Sequence, residues 1–590
     1  MLRLRSRFEY RIRIMRRRAI IPVLLHSLAV FGSRSLAATL PGPNSTVSTP
    51  LTNSSTLPQL LAQPESTKLE ILPSGNTSDS PSEDRDGNVW NSATLTDILR
   101  YRFHYGTNVG SFFVLEKWLF SSMFPSKAGD KQSSELESLK LWIPQIGIDA
   151  TRAKFEAHWA STLTDDDLDW LVNTARVNTI RLPIGFFTLG PSFCSDTAFA
   201  NYGAVYRNAW SFVRKTVKKA RDRGIGVLLD MHGLPGGAND GDHSGTNSGK
   251  IELWGNATNL AKAKAALEFV VREAKTMDGV VGVQVVNEAA WQASGLYDWY
   301  NSLLSSFARI DDSIPIYISD AWNLDKTISY VSSKNRLGSN TNPVVIDTHY
   351  YWAFTDSDKS KSVQQIIAEI PGKLRELDGH DGNVFDRGAV SAIVGEYSCA
   401  LDGATWNKSG PAGNRDKLTK DFGQAQSARY QSRSSGTFFW TLKMDWMPGG
   451  DWGFKAQTQS GAVTPPAYMR LSAADVRSRA QKASSEKAAR LKSSYDTHVA
   501  YWNSAEPNKK FEHRKFHSGW QVGFEDALAF FRMRSSGKLG GGGGSDKIGL
   551  LDLWVKKRIR DGDLRGDFVW EFETGLRKGV EDFGKLSGAY

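Results

Sequence analysis

Residues 279–289 read GVVGVQVVNEA, a short apolar run that ends in the polar pair Asn287 and Glu288. A second run, SAIVGEYS at residues 391–398, carries Glu396 near its end in the same way. Short continuous apolar runs are typical of parallel strands that are buried on both faces. In an eight-stranded β/α barrel the carboxyl ends of all strands meet at one mouth, so we expect both carboxyl groups to face a single cavity.

Six further apolar runs, separated by amphipathic segments, have the same form. They are HYGTNVGSFFVLE (104–116), NTIRLPIG (178–185), GIGVLLDMHG (224–233), PIYISDA (315–321), VVIDTHYY (344–351) and GTFFWTLK (436–443). Strands that alternate with helical patterns predict βαβ units, and eight of them predict an α/β fold, a TIM (β/α)8 barrel, over residues 93–470. An open doubly wound sheet is the alternative. We favour the barrel because polar residues stand at the end of nearly every run, namely Glu116, Arg181, His232, Glu288, His349 and Glu396.

The chain on either side of the predicted barrel divides by composition. Residues 1–37 combine a basic start, an apolar stretch and small residues, which predicts a signal peptide or a membrane leader. Residues 38–92 are rich in Ser, Thr, Pro and Asn and predict a disordered spacer. Residues 471–590 predict a helical C-terminal extension, because the run DVRSRAQKASSEKAARLKSSYDTHVAYW (475–502) consists largely of strong helix formers.

The extension contains a weak internal repeat. The repeated residues are Phe516, Gly519, Gly523 and Asp526 in one copy and Phe572, Gly575, Gly579 and Asp582 in the other. Trp520 and Trp570 stand beside the two copies. We interpret two similar helical elements that each bury an aromatic residue as a packing device, in preference to a binding module.

The net charge of +10 is concentrated at the amino terminus, where residues 1–37 hold nine Arg and one Glu. The rest of the chain is nearly neutral, which argues against a nucleic-acid partner. The leader predicts a secreted protein of the extracellular space or the cell wall, and the alternative is a protein anchored in the membrane through an uncleaved leader. Without such an anchor we expect no stable membrane partner. Five N-x-Ser/Thr sequons, at Asn44, Asn53, Asn76, Asn256 and Asn407, are consistent with a glycoprotein.

Only two cysteines occur, Cys194 and Cys399, and both follow predicted strand ends. A secreted domain of this size folds with one disulfide or with none, so the sequence leaves both alternatives open. No metal site is predicted, because no element carries paired His or Cys ligands. No cofactor is predicted either, since the glycine-rich segment LPGGANDGDHSG (234–245) lacks the spacing of a nucleotide-binding loop.

Several of these motifs, in barrel order, resemble glycoside hydrolase family 5, and in particular its fungal exo-β-1,3-glucanase branch. They are NTIRLPIGFFTLGP, LLDMHGLPGG, VVNEA, DTHYY, GEYS and FFWTLK. The resemblance implies that Glu288 is the general acid/base and Glu396 the nucleophile. The substrate-binding residues that it implies are Glu116, Arg181, His232, Asn287, His349, Tyr351 and Trp440.

The implied chemistry sets physical expectations for the two carboxyl groups. Glu288 must donate a proton to the departing oxygen, so we expect its pKa to be raised, whereas Glu396 must be ionised to attack the anomeric carbon. Arg181 is expected to favour that ionised form. In a retaining enzyme the two carboxyl groups lie roughly 5–5.5 Å apart. Four tryptophans that follow strand ends are candidates for further sugar subsites, namely Trp254, Trp291, Trp352 and Trp406.

The function that the resemblance implies is a retaining hydrolase of β-glucan, acting as an exo-β-1,3-glucosidase that releases glucose. An endo-acting or transglycosylating β-glucanase with β-1,3, β-1,6 or β-1,4 specificity is the alternative, and a non-catalytic glycan-binding barrel is a further one. His243 departs from the asparagine expected in that branch and leaves linkage and mode of action open. The expected partner is a β-glucan polysaccharide or oligosaccharide, and the expected state is a monomer.

Overall fold

Eight parallel strands close into a barrel in this computed structural model, which describes residues 82–83, 89–540 and 543–590. The strands are β1 (His104–Asn108), β2 (Thr179–Gly185), β3 (Gly226–Gly233), β4 (Val280–Gln284), β5 (Ile316–Ser319), β6 (Val344–Tyr350), β7 (Ala392–Tyr397) and β8 (Gly436–Phe439). Each pairs in parallel with the next, and β8 pairs with β1 to close the barrel. Each lies inside one of the predicted runs, so the predicted TIM barrel is confirmed. A two-residue antiparallel pair, Ser82–Glu83 with Val89–Trp90, precedes it.

The α-helices surround the strands and continue beyond them. Among the described residues, one helix precedes β1 and twelve lie between β1 and β8. These are α1 (Leu95–Tyr101), α2 (Glu135–Ser161), α3 (Asp165–Asn173), α4 (Pro191–Cys194), α5 (Ala209–Asp222), α6 (Ala257–Ala274), α7 (Leu296–Phe307), α8 (Leu324–Lys334), α9 (Asp356–Lys359), α10 (Val363–Glu369), α11 (Val384–Arg387), α12 (Gly403–Asn407) and α13 (Arg415–Arg433), followed by α14 (Phe454–Gln459) after β8. The backbone of α2 is interrupted at Gly147, where φ is 81°.

The described part of the C-terminal extension consists largely of four helices, as the composition predicted. They are α15 (Ala473–Ala505), α16 (His513–Arg532), α17 (Leu551–Asp561) and α18 (Val569–Ser587). The start of α15 is set by a capping box, in which the Ser472 hydroxyl accepts from the Asp475 N–H and the Asp475 carboxylate accepts from the Ser472 N–H. Such a box satisfies backbone donors that the first helical turn leaves unpaired.

The extension packs against the amino-terminal ends of the barrel strands, opposite the mouth. Phe103, one residue before β1, donates its N–H to the carbonyl of Lys547 over 3.0 Å. Arg102 is buried and donates to Asp546 over 3.2 Å and to the carbonyl of Gly224, just before β3, over 3.0 Å. Apolar side chains from the starts of several strands form one cluster with extension residues such as Trp554. Contacts at this end of a barrel serve stability rather than chemistry.

The internal repeat lies where α16 crosses α18. A Cβ atom at Gly519 would collide with the carbonyl oxygen of Phe572, and one at Gly575 would collide with the carbonyl oxygen of Phe516. The two helices therefore approach each other reciprocally through their glycines. The repeated aspartates are matched as well, since Asp526 accepts from the Trp554 ring N–H and Asp582 from the Trp520 ring N–H, both over 2.9 Å. These contacts account for the repeat by helix packing.

Cys194 and Cys399 are both buried free thiols, so the structure has no bridge between them. Across residues 82–83, 89–540 and 543–590, no helix combines the length and the apolar character needed to cross a membrane. The predicted leader and most of the predicted spacer lie outside the described residues.

Candidate active site

Arg181 occupies the centre of a hydrogen-bond network at the carboxyl ends of the strands. The residue points inward from β2 and is completely buried. Its guanidinium donates to Glu396 Oε1 over 2.7 Å, to Asn287 Oδ1 over 2.7 Å and to Gln284 Oε1 over 2.9 Å. A planar guanidinium with five donors is suited to hold several acceptors in fixed directions. Arg181 therefore fixes the positions of Glu396 and Asn287 relative to each other.

The surroundings of Arg181 are strongly acidic. Its Nη2 lies 3.1 Å from Asp230 Oδ2 and 3.9 Å from Asp347 Oδ2. Burial alone would lower the pKa of the guanidinium, but the charges of Asp230 and Glu396 outweigh burial and raise it. Arg181 is thus a permanent cation among three carboxyl groups. This arrangement offsets the cost of burying charge at the mouth.

Glu396, near the end of β7, has a donor on each carboxylate oxygen. Besides Arg181 on Oε1, the Tyr351 hydroxyl donates to Oε2 over 2.7 Å. The residue before it, Gly395, leaves room for the neighbouring strand, because a Cβ there would collide with the Asp347 carboxylate. Glu396 is also in register with His349 across the β6–β7 pair. Donors on both oxygens hold the carboxylate in a fixed orientation.

Glu288 lies between two histidines just after β4. Its Oε1 is 2.9 Å from His349 Nδ1, and its Oε2 is 3.3 Å from His243 Nε2, a close approach without hydrogen-bond geometry. Its backbone is left-handed, with φ of 45°. For a residue other than glycine this conformation costs about 1–3 kcal/mol. The side chain of Asn239 holds the turn by donating to the Glu288 carbonyl over 3.1 Å.

The expectation of a raised pKa for Glu288 is wrong for the protein without substrate. Burial alone would raise the pKa of this carboxyl, but His243 and His349 together hold it well below its usual range. The histidines respond in the opposite sense. Interaction with Glu288 raises the pKa of His243 to about 10 against the effect of burial, and Glu396 and Asp347 likewise raise the pKa of His349. The proton that an acid/base residue needs therefore rests on its histidine neighbours.

The two carboxyl groups are close together. One oxygen of Glu288 and one oxygen of Glu396 lie within 4.8 Å of each other, and His349 Nδ1 lies within the same distance of both. Retaining glycosidases place their carboxyl groups roughly 5–5.5 Å apart, and inverting enzymes roughly 6.5–9.5 Å apart. The nearest oxygens here are closer together than the inverting range, which favours the retaining class. The Arg181 cation already bonded to Glu396 opposes a metal ion at this position.

The remaining predicted residues lie at or beneath the same mouth. His232 is buried, bonds to Asp230 Oδ2 over 2.7 Å and stacks on Trp440 with ring centres 5.8 Å apart. Glu116 is buried in the first loop, where the Trp118 ring N–H donates to it over 2.9 Å. Burial raises the pKa of Glu116 to about 8. All nine predicted residues are thus brought to one end of the barrel.

An aromatic rim stands around this end. Trp452 packs against Trp118, with ring centres 5.3 Å apart, and against Tyr351, with ring centres 5.7 Å apart. Phe354 and Trp446 adjoin them and are 51% and 43% exposed. Of the tryptophans considered as subsites, Trp291 is exposed, whereas Trp352 is buried against Tyr430. The expectation of a sugar surface at Trp352 is therefore wrong.

Sequence reasoning missed the acidic residues beneath the site. Asp230 and Asp347 each precede a predicted histidine by two positions, so both side chains point to the same side of their strand as that histidine. His349 Nε2 lies 2.9 Å from Asp347 Oδ2, which repeats the Asp230–His232 contact on another strand. Alternate residues of a strand point to the same side, so the spacing of two positions from each histidine could have identified these aspartates as inward-facing.

The family model described as cellulase (glycosyl hydrolase family 5) matches residues 146–443. Glucan 1,3-beta-glucosidase 3 of Schizosaccharomyces pombe is 30% identical over 485 residues, which cover 81% of this chain and 95% of the relative. The chain belongs to glycosyl hydrolase family 5. The resemblance stated from the sequence motifs and the expected class of enzyme, an O-glycosyl hydrolase, are confirmed.

Other similarities extend beyond the family 5 barrel. A second family model, described as the glucan 1,3-beta-glucosidase 3 C-terminal domain, matches residues 483–587. An uncharacterized glycosyl hydrolase of Saccharomyces cerevisiae is 29% identical over 500 residues, covering 83% of this chain and 92% of the relative. Among solved structures, rutinosidase from Aspergillus niger is 17% identical with a TM-score of 0.49, covering 62% of this chain and 99% of that one. The S. cerevisiae and S. pombe relatives each align with more than four fifths of this chain, so their similarity is not confined to the barrel.

Proposed function

We propose that this family 5 protein is a retaining exo-β-1,3-glucosidase that releases glucose from β-glucan, with Glu288 as general acid/base and Glu396 as nucleophile. The observation that carries the mechanism is the approach of one Glu288 oxygen to within 4.8 Å of one Glu396 oxygen. Their surroundings differ in the required way. Glu396 accepts hydrogen bonds from an arginine and a tyrosine, whereas Glu288 is hydrogen-bonded to a histidine.

In the first step Glu396 Oε2 attacks the anomeric carbon, and the bond from that carbon to the departing oxygen breaks. Glu288 gives its proton to that oxygen, so a covalent glycosyl ester forms on Glu396 and the shortened glucan leaves. In the second step Glu288 removes a proton from water, whose oxygen attacks the same carbon. The ester bond breaks, Glu396 is regenerated as a carboxylate, and glucose leaves with its original configuration.

The neighbours of the pair assist these steps. His349 passes its proton to Glu288 when a sugar covers the site, because exclusion of water disfavours a buried carboxylate. Tyr351 releases Glu396 Oε2 for attack and stabilises its charge beforehand. Asn287 is held by Arg181 in a position to bind the sugar 2-hydroxyl, a contact that strengthens in the transition state. Trp440, stacked on His232, supplies an apolar face on which the C–H groups of a sugar ring pack.

The choice of substrate rests on the relatives. The S. pombe relative carries the name glucan 1,3-beta-glucosidase 3, and a relative in Aspergillus niger, named probable glucan 1,3-beta-glucosidase A, is 26% identical over 376 residues. The aromatic rim offers stacking surfaces for the glucan beyond the cleaved bond. We further propose that the protein acts outside the cell or in the cell wall as a glycoprotein, on the strength of the leader and sequons in its sequence.

The test is product analysis by proton NMR. Purified protein is incubated with a β-1,3-gluco-oligosaccharide whose end is reduced, and the first products are followed by their anomeric signals. We expect glucose, initially as the β-anomer. A mixture of oligosaccharide products would indicate an endo-acting or transglycosylating enzyme instead of an exo-acting one. An initial α-anomer would contradict retention of configuration. Parallel β-1,6 and β-1,4 oligosaccharides test the linkage. Binding of all three without products would favour a non-catalytic barrel.

A further inference from the structure

Two histidines and a glutamate converge inside the C-terminal extension, far from the barrel mouth in sequence. His498 comes from α15, His513 from the first turn of α16 and Glu571 from the first turn of α18. His498 Nε2 and His513 Nδ1 each lie 2.9 Å from the same oxygen, Glu571 Oε2. One ligand atom from each residue lies within 4.8 Å of the other two. Glu571 is completely buried and His498 nearly so.

The two contacts of the His513 ring are compatible with a metal-bound state of this cluster. The second ring nitrogen of His513, Nε2, lies 3.2 Å from Asn503 Oδ1, which is an acceptor. If a neutral His513 carried its proton on Nδ1 and donated it to Glu571, its unprotonated Nε2 would face the Asn503 oxygen, and both of these atoms are acceptors. The contact is satisfied if Nε2 carries the proton and Nδ1 offers its lone pair to a cation. Histidines that bind metals typically donate their other N–H to an oxygen in this way.

The other supports of the cluster fit the same state. The Glu512 N–H donates to Glu571 Oε1 over 2.9 Å, which leaves Oε2 directed at the two imidazoles. His498 stacks on Phe516 with ring centres 4.0 Å apart, and Trp502 and Trp570 flank it. An apolar wall and hydrogen-bonded outer oxygens fix the directions of the ligands. Metal bonds of about 2.0 Å in tetrahedral geometry separate two ligands by roughly 3.3 Å. The contacts of Glu571 with the two histidines are a few tenths of an ångström shorter, and the ligand atoms of the two histidines lie within 4.8 Å of each other.

We propose that His498, His513 and Glu571 bind one transition-metal ion of the zinc class, which joins α15, α16 and α18. Two imidazole nitrogens and one carboxylate oxygen are a donor set that zinc takes in proteins, with solvent as the fourth ligand. The side chain of His513 is 14% exposed and gives access for that ligand. The sequence predicted no metal site because it offered no paired ligands on one element, whereas these three come from three helices.

The site has a structural role in this proposal. The reciprocal glycine crossing is formed by α16 and α18, and α15 is their neighbour. A metal ion that binds all three helices in the folded state stabilises the extension against unfolding, because binding favours the folded state. The ion would bind at the first turns of α16 and α18. Because the extension packs on the amino-terminal ends of the strands, the effect on catalysis is indirect.

The experiment uses the full chain after mild chelation and desalting. Zinc affinity is measured by competition with a fluorescent chelator, Co2+ is added to observe the visible bands of tetrahedral coordination, and thermal unfolding is followed with and without metal. We expect one ion per chain, tetrahedral Co2+ bands and a higher unfolding temperature with zinc. His498→Gln and His513→Gln should weaken zinc binding by about 100-fold or more, since even loss of an outer partner costs about 10- to 100-fold.

Two further variants keep the proposal falsifiable. Asn503 is exposed, so Asn503→Ala should fold normally and still weaken zinc binding by about 10-fold or more. The exposed His380, on the barrel, provides the matched control His380→Gln, which should bind zinc like the parent. Absence of tetrahedral Co2+ bands, or equal zinc affinity in the parent and in both ligand variants, would overturn the proposal. An unfolding temperature that follows pH but not zinc would assign the cluster to a protonated His513 instead.

Discussion

His349 Nδ1 lies 2.9 Å from Glu288 Oε1. The other nitrogen of the same ring lies 2.9 Å from Asp347 Oδ2, so one imidazole connects the acid/base candidate to a buried carboxylate. The proton shared by Glu288 and His349 is therefore subject to two charges of opposite sign. Asp347 retains it, and His243 on the far side of Glu288 repels it.

Asp347→Asn removes the negative charge and keeps an oxygen for the contacts with His349 and Gln284. Less negative charge weakens proton binding by the Glu288–His349 pair, whose common pKa then falls. We expect the alkaline limb of the pH profile of kcat/KM to move to lower pH, as measured on a β-1,3-glucoside. Asp325→Asn, at an exposed position on α8, is the control and should leave the profile in place. A limb that moves to higher pH would contradict the role given to Asp347.

His243→Gln should have the opposite effect. The pKa of His243 is raised to about 10, so the imidazole is charged throughout the neutral range and favours the ionised form of Glu288. Removing this cation raises the pKa of the Glu288–His349 pair, and the alkaline limb of kcat/KM should move to higher pH. His380→Gln serves as the matched control. An unchanged limb would show that His243 contacts Glu288 without influencing its proton.

Tyr351→Phe removes only the hydroxyl that donates to Glu396 Oε2 over 2.7 Å. A hydrogen bond to a charged group contributes about 1.5–3 kcal/mol. We expect kcat to fall about 10- to 100-fold, with KM changed much less. The neighbouring Tyr350, whose ring stacks on Tyr430, provides the control Tyr350→Phe. Equal kcat values for the two variants would contradict a role of Tyr351 in stabilising the nucleophile.

The sequence was sufficient for the barrel because its strands are continuous apolar runs, and each run locates one strand. The convergence of the residues at strand ends, such as Arg181 and Glu396, follows from that assignment because the fold brings those ends together. The charge state of Glu288 did not follow. It depends on His243, which a loop of the third βα unit brings to within 3.3 Å of the carboxylate.

Other parts of the site depend on contacts that no local pattern encodes. Trp118 and Trp452 form the aromatic rim from loops more than 300 positions apart. The cluster of His498, His513 and Glu571 depends on how α15, α16 and α18 pack. The glycines of the repeat were visible as a pattern, but their meaning came from the collision that a Cβ would cause with the opposite helix.

Gly519→Ala tests that helix crossing. Alanine has a higher helix propensity than glycine, so the substitution would stabilise an isolated helix. At this position the added Cβ collides with the Phe572 carbonyl, and we expect a net loss of about 1–3 kcal/mol in the free energy of unfolding. Gly403→Ala, where nothing lies near the added methyl group, is the matched control. Chemical denaturation measures both. An increase in stability in Gly519→Ala would refute the close packing of α16 on α18.

We propose that Glu396 becomes covalently attached to the sugar during turnover. The most direct measurement is intact-mass and peptide mass spectrometry after incubation with a 2-deoxy-2-fluoro-β-glucosyl fluoride, which slows the second step and allows the ester to accumulate. We predict one fluoroglucosyl group per chain, located on Glu396, with no adduct in Glu396→Gln and an unchanged adduct in Glu376→Gln, a variant at an exposed glutamate. An adduct on another residue, or hydrolysis of this reagent by the parent protein without any adduct, would contradict the account.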